Sequence, residues 1–174
     1  MSDFDLDAWI DDAKLPERSE TVYGRADLYA EIRALEADLQ AAKAREGDDR
    51  LGDPNSPVAI ARRIQDTREQ MAASALTFRF RALDRDTVRR LHADAPKVDG
   101  EPDADHIARE WVAAASVEPK LTAGQAQKLR DHIGEGQFAL LWDAAFAATN
   151  DKRVSVPFSL SASAVLSRQD SSES

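Results

Sequence analysis

Three histidines, His92, His106 and His132, are the side chains of this chain best suited to hold a metal or move a proton near neutral pH. A zinc site on a helix needs two of them four residues apart, or cysteines to complete the set. Here each histidine stands alone on its expected helix and the chain has no cysteine, so all three read as surface or boundary residues. The carboxylate pairs Asp11-Asp12 and Asp48-Asp49 could share acid and base roles only if burial raised a pKa, and both sit in polar segments with no cause of desolvation. They read as solvated charge. The seven glycines form neither Gly-x-Gly-x-x-Gly nor a Walker loop, which argues against nucleotide binding. No Gly-x-Ser-x-Gly elbow marks a nucleophilic serine, although a triad assembled in space leaves no signature in spacing. No catalytic, cofactor-binding or metal-binding residue is therefore assigned, and the chain reads as a non-enzyme without a cofactor.

Composition narrows the partners. The chain has 174 residues, enough for one sizeable core or two small ones. A charged fraction of 32% with a formal net charge of −9 makes nucleic acid a poor partner, because phosphate binding needs clustered Lys and Arg. The absence of cysteine fits a reducing compartment, with cytoplasm as the simplest expectation. The start Met1-Ser2-Asp3-Phe4-Asp5 has no basic or apolar leader, and no run approaches the roughly 18 apolar residues of a membrane span. A soluble, unexported protein with no membrane partner is expected.

Residues 1–20 carry seven acidic and two basic side chains, with Leu6, Trp9 and Ile10 on one side of a helical turn. This acidic N-terminal arm is either a docking peptide for a partner groove or a segment folded onto its own domain. Thr21-Val22-Tyr23 is a short β-prone run ending at Gly24. From Arg25 to Glu46, Leu28, Ile32, Leu35, Leu39 and Ala42 recur at intervals of four, three, four and three, the seam of a coiled-coil helix. Turn residues from Gly47 to Asn55 must end it, and Ser56-Pro57 opens a second helix as N-cap and first position. Ile60, Ile64, Thr67 and Met71 repeat the pattern, so an antiparallel helical hairpin spans 25–74. Leu76, Phe78 and Phe80 then alternate with Thr77, Arg79 and Arg81, which predicts a half-buried strand over 76–82.

A strand on either side of the hairpin makes a β-α-α-β unit, with Val154-Ser155-Val156 as a possible third strand. Over 84–150 the pattern is helical. Asp84 caps a helix with Val88 and Leu91, a charged loop follows from Lys97 to Asp105, and Ile107 and Trp111 mark a helix stopped at Val117-Glu118-Pro119. Thr122 and Gln125 have capping-box spacing for Thr122 to Ile133, and Gly134 and Gly136 turn the chain into Gln137 to Asn150. In that last helix Phe138, Leu141, Trp142, Ala145 and Phe146 share one side and need a partner. The expected fold is mainly α with a small β element (α+β), a helical hairpin with flanking short strands and a C-terminal bundle of short helices. One domain covers 21–158. Residues 159–174 hold seven serines and no aromatic, which predicts a disordered tail.

These elements present apolar seams and no reactive cluster, which points to gripping other proteins. Leu28, Ile32, Leu35, Leu39, Ile60, Ile64 and Met71 on the hairpin, with Phe138, Leu141, Trp142 and Phe146 on the last helix, are the candidate partner-binding or self-association residues. The competing reading is that the hairpin residues simply pack on each other. Arg79, Arg81, Arg85, Arg89 and Arg90 form the one locally basic stretch, either a contact for an acidic segment or ordinary surface charge.

Leu6-Asp7-Ala8-Trp9-Ile10, Leu15-Pro16-Glu17, the hairpin, Thr77-Phe78-Arg79-Phe80-Arg81-Ala82-Leu83, Ser116-Val117-Glu118-Pro119 and Val156-Pro157-Phe158-Ser159 follow one another in an order that resembles the tail assembly chaperones of long-tailed, siphovirus-type actinobacterial phages. The resemblance implies a protein that does no chemistry and binds the tape-measure protein while tail-tube subunits polymerise around it. It further implies a host-cytoplasmic protein missing from the mature virion and a second, longer product made by ribosomal frameshift; self-association as a homo-oligomer is expected from the hairpin itself, since helical pairs of this kind stack. The alternative is a structural virion component, a head-tail connector or minor tail protein.

Overall fold

A strand that alternates Phe78 and Phe80 with Arg79 and Arg81 is stable only where one side meets an apolar layer and the other meets water or counter-charge. The structure, a computed structural model, describes residues 5–44 and 53–152 and provides both environments. In chain order the elements are α1 (Leu6–Asp12), β1 (Glu17–Tyr23), α2 (Leu28–Ala44), α3 (Pro57–Ala73), β2 (Ala75–Arg81), α4 (Arg85–Asp94), β3 (Lys97–Val98), β4 (Glu101–Pro102), α5 (Ala104–Ala115), β5 (Ser116–Glu118) and α6 (Ala123–Asn150). The fold is mainly α with a small antiparallel sheet.

β2 is the middle strand. β1 pairs antiparallel with it from Glu17 opposite Arg81 to Tyr23 opposite Ala75, and β5 pairs antiparallel on its other edge through a bulge between Arg79 and Phe80. Val22, Phe78 and Phe80 are buried with Trp111 and Val112 of α5 and Phe138, Leu141 and Ala145 of α6. The opposite side is polar and held by its own contacts. The Thr21 and Thr77 hydroxyls meet at 2.7 Å, Glu17 takes Arg79 at 3.0 Å and Arg81 at 2.8 Å, and Arg79 reaches Glu118 at 2.9 Å. Within the basic stretch, Arg79 and Arg81 therefore find their acidic contact in the chain's own Glu17 and Glu118, while Arg89 lies 3.8 Å from Asp86. The bond from Arg81 holds the Glu17 carboxyl below its ordinary value of 4.5; partial desolvation opposes that, and Arg79 adds to it.

The hairpin has a second, separate core. Leu35, Ile60 and Ile64 are buried together with Leu39 and Ala42 against them, and Leu28, Ile32 and Thr67 are buried along the same seam. Glu36 staples the two helices through Arg68 at 2.6 Å. α2 and α3 pack extensively only on each other, so the pair forms an arm about 25 Å long at 1.5 Å per residue.

Local signals set the helix starts. Ser56, Asp84 and Asp103 accept hydrogen bonds from the first-turn amides of α3, α4 and α5, and Thr122 with Gln125 forms the capping box of α6. Gly134, at φ 80° and ψ 164°, breaks α6 into the two helical stretches that its glycines predict. After the break, the Gln137 amide closes the outer edge of β1, accepting from the Tyr23 N–H at 2.7 Å and donating to its carbonyl at 3.0 Å.

Several details differ from the sequence expectations. β1 begins at Glu17 and takes four residues from the expected arm 1–20, because pairing with β2 and the Glu17–arginine contacts order a segment with polar side chains on both sides. The third strand is Ser116–Glu118, read from sequence only as a helix stop. The charged loop after Lys97 contains the β3–β4 hairpin, which turns at Asp99 (φ 52°) and Gly100 (φ 88°), both left-handed as an Asp-Gly turn requires. α1 is helical and capped by Asp5, yet it does not fold onto the domain: Leu6, Trp9 and Ile10 stay exposed, Trp9 at 61%. The expected strand Val154-Ser155-Val156, the tail 159–174 and the turn residues 45–52 lie outside the described residues.

Phe80→Ala should lower the unfolding free energy by about 3–5 kcal/mol in urea denaturation, since it empties a fully buried site under two helices. The depressed Glu17 pKa gives a pH signature. Its contribution is complete above the unfolded carboxylate value and is lost as pH falls through the lowered folded value, so Glu17→Gln should flatten the acid limb of the stability profile and leave the alkaline limb unchanged.

Candidate protein-binding grooves

Two grooves lie between helices, a mainly apolar one on the body and one on the arm whose lining is polar and apolar in about equal parts. The body groove, about 270 Å³, runs between α5 and the second stretch of α6. Helical spacing makes its floor, with Ala104 and Ala108 from one helix and Phe138, Ala139 and Trp142 from the other. The alanines are small enough to leave a channel between the helices. At one end the Arg130 guanidinium bonds Glu135 at 2.7 Å and Asp105 at 3.0 Å, and lies 5.5 Å from the centre of the Phe138 ring. Its pKa is raised, chiefly by the Glu135 bond and next by Asp105. That charge is already satisfied within the chain.

At the other end the aromatic rings collect. Trp111 sits 5.7 Å from Trp142 and 5.6 Å from Phe146 between ring centres, and Trp142 and Phe146 are 5.3 Å apart. His92 of α4 meets Trp111 edge-on at 6.3 Å. The Trp111 indole N–H points to the Ala145 carbonyl at 3.4 Å, which fixes the buried ring while Phe146 remains 43% exposed. An exposed ring stacked on buried rings is a rigid apolar contact that costs little side-chain entropy to use.

The arm groove, about 600 Å³, follows one flank of the α2–α3 seam. Leu39 and Ile64 form its floor, Ala37 and Ala61 its walls, and Arg33, Glu36, Gln40, Gln65 and Arg68 its rim. Glu36 accepts from Arg33 at 3.4 Å and from Arg68 at 2.6 Å, so this rim too is largely neutralised from within.

The candidate residues separate by burial. Leu28, Ile32, Leu35, Ile60 and Ile64 are spent on the hairpin interior, as the self-packing reading has it, and Met71 is half-buried beside them. Leu39 and Ile64 also reach the arm groove. Phe138 and Leu141 are buried in the body, whereas Trp142 and Phe146 reach its surface. Ala104, Ala108, Arg130, Ala37 and Ala61 complete the grooves, Trp111 backs Trp142 from within, and none of them was assigned a role at the site from the sequence. The Ile107/Trp111 spacing was a visible signal, but nothing in one helix tells which second helix lies beside it.

Among the described residues no three His, Cys, Asp or Glu side chains come together as a metal site, and no described helix is long and apolar enough to cross a membrane. Trp111→Ala should cost about 3–5 kcal/mol of stability, and Phe146→Ala less than about 1 kcal/mol, when both are compared by chemical denaturation. No family model, curated protein or solved structure matches the chain.

Proposed function

We propose that this protein is a phage tail assembly chaperone that grips amphipathic helices of a tape-measure protein and does no chemistry. The observation that carries the reading is the body groove, an alanine-lined channel beside Trp142, with the exposed Phe146 stacked on Trp142 one helical turn further on and the charges at the far end bound to one another. Such a surface offers a helix apolar contact and no reactive group. A tape-measure protein is long and helical, with apolar stripes that aggregate until the tail tube covers them. The ordered motifs from Leu6 to Ser159 supply the phage context, and the groove supplies the means of holding a client.

Co-expression with the large helical protein encoded just downstream, followed by affinity capture, tests it. Capture of that protein is expected, and Phe146→Asp should weaken it about tenfold or more while the folded state persists. Mass spectrometry of purified virions should find the chain missing. Its presence in stoichiometric amount would favour the head-tail connector or minor tail reading instead.

A further inference from the structure

We infer that α1 is a tethered strap that closes over the aromatic end of the body groove, setting Leu6, Trp9 and Ile10 on Phe146 and Trp142 and its aspartates against Arg85 and Arg89 of α4.

Helix α1 has little to hold it where it stands. Seven residues are too few for a stable helix in water without packing, and among the described residues no hydrogen bond or ion pair ties it to another element. Four of the ten large hydrophobics exposed among the described residues, Leu6, Trp9, Ile10 and Leu15, fall within residues 6–15. Spacing of three and four puts the first three on one side of α1. Such a stripe gains free energy only against another apolar surface.

The root of α1 selects that surface. The Pro16 carbonyl accepts from the Ala82 N–H at 2.8 Å, and the next amide, that of Leu83, donates to the Thr149 hydroxyl at 3.1 Å. Together these bonds place the Pro16 carbonyl within about 10 Å of Thr149. Arg18 holds Asp151 at the end of the same helix. Phe146 stands one turn before Thr149, about 4.5 Å of helix rise. Residues 13–15, which join α1 to Pro16, reach about 10 Å when extended, enough to lay α1 along the last turns of α6.

Charge agrees with the path. Arg85, Arg89 and His92 recur at intervals of four and three and so share one flank of α4. His92 meets Trp111, whose ring centre is 5.6 Å from that of Phe146, so the arginine flank borders the aromatic end of the groove. Among the described residues no carboxylate pairs with Arg85, and Arg89 has only the 3.8 Å contact with Asp86. On α1, Asp7 and Asp11 border the apolar stripe one turn apart, which is also the spacing of Arg85 and Arg89. A short tether presents α1 to this surface at an effective concentration that a free partner rarely matches. That the strap shields a client site rests on the proposed function, while the closure itself needs no client.

Paramagnetic broadening of amide signals in the full chain tests it. Because the chain has no cysteine, Ala8→Cys carries a single nitroxide on the side of α1 away from the apolar stripe. Signals of residues 89–92 and 142–146 should broaden, and adding Trp9→Asp, at an exposed position, should remove most of the effect. A labelled chain mixed with an isotope-enriched, unlabelled one should leave those signals sharp. Absence of broadening, broadening that survives Trp9→Asp, or broadening in the mixture overturns the closure. Trp9→Asp should also tighten capture of the helical protein encoded downstream about threefold or more by freeing the groove, and an unchanged affinity overturns the competition. No capture by either chain sinks the proposed function alone, and the spectra still decide the closure.

Discussion

The structure depends on β2 being paired on both edges while one side of it is buried. β1 and β5 bind its two edges, and Phe78 and Phe80 point into the layer made by α5 and α6. A one-residue slip against β1 would turn both phenylalanines to water and carry Arg79 and Arg81 into the core. The register is guarded from the open side as well, since Glu17, Arg79, Arg81 and Glu118 meet only when Arg81 lies opposite Glu17. Exposed ion pairs are individually weak, and here they add specificity to a choice that burial of the two rings already dominates.

That pairing decides what the rest of the chain can do. β1 and β2 are joined through α2 and α3, so closing the sheet projects the helical pair from one end with only its own seam to hold it. The body covers one face of the sheet with α5 and α6 and leaves the other polar. Two kinds of surface result: an aromatic-ended groove on the body, and a two-helix arm with a groove of mixed polarity on its flank.

The strongest local signals were the ones legible in sequence. The four-three-four-three spacing from Leu28 to Ala42, the Phe78/Phe80 alternation, the caps at Ser56, Asp84 and Thr122 and the break at Gly134 all have physical causes within a few residues. What escaped depends on distant partners. Glu17-Arg18-Ser19-Glu20 has no apolar side to announce a strand and is ordered by pairing with a segment some 60 residues later. Ser116–Glu118 is too short to show a period. The candidate site was half visible, since Phe138, Trp142 and Phe146 share a face by spacing, while Trp111 and His92 come from other helices. Burial removed most of the hairpin candidates, because a seam that packs on its twin has little left to offer a partner.

The proposed gripping of helices by the α5–α6 groove is open to measurement. Hydrogen exchange along the chain, recorded with and without the helical client, tests it most directly. Added protection in α5 and around residues 138–146, with the open side of the sheet unchanged, is the expected result. Protection confined to the sheet, or a groove indifferent to the client, would contradict it.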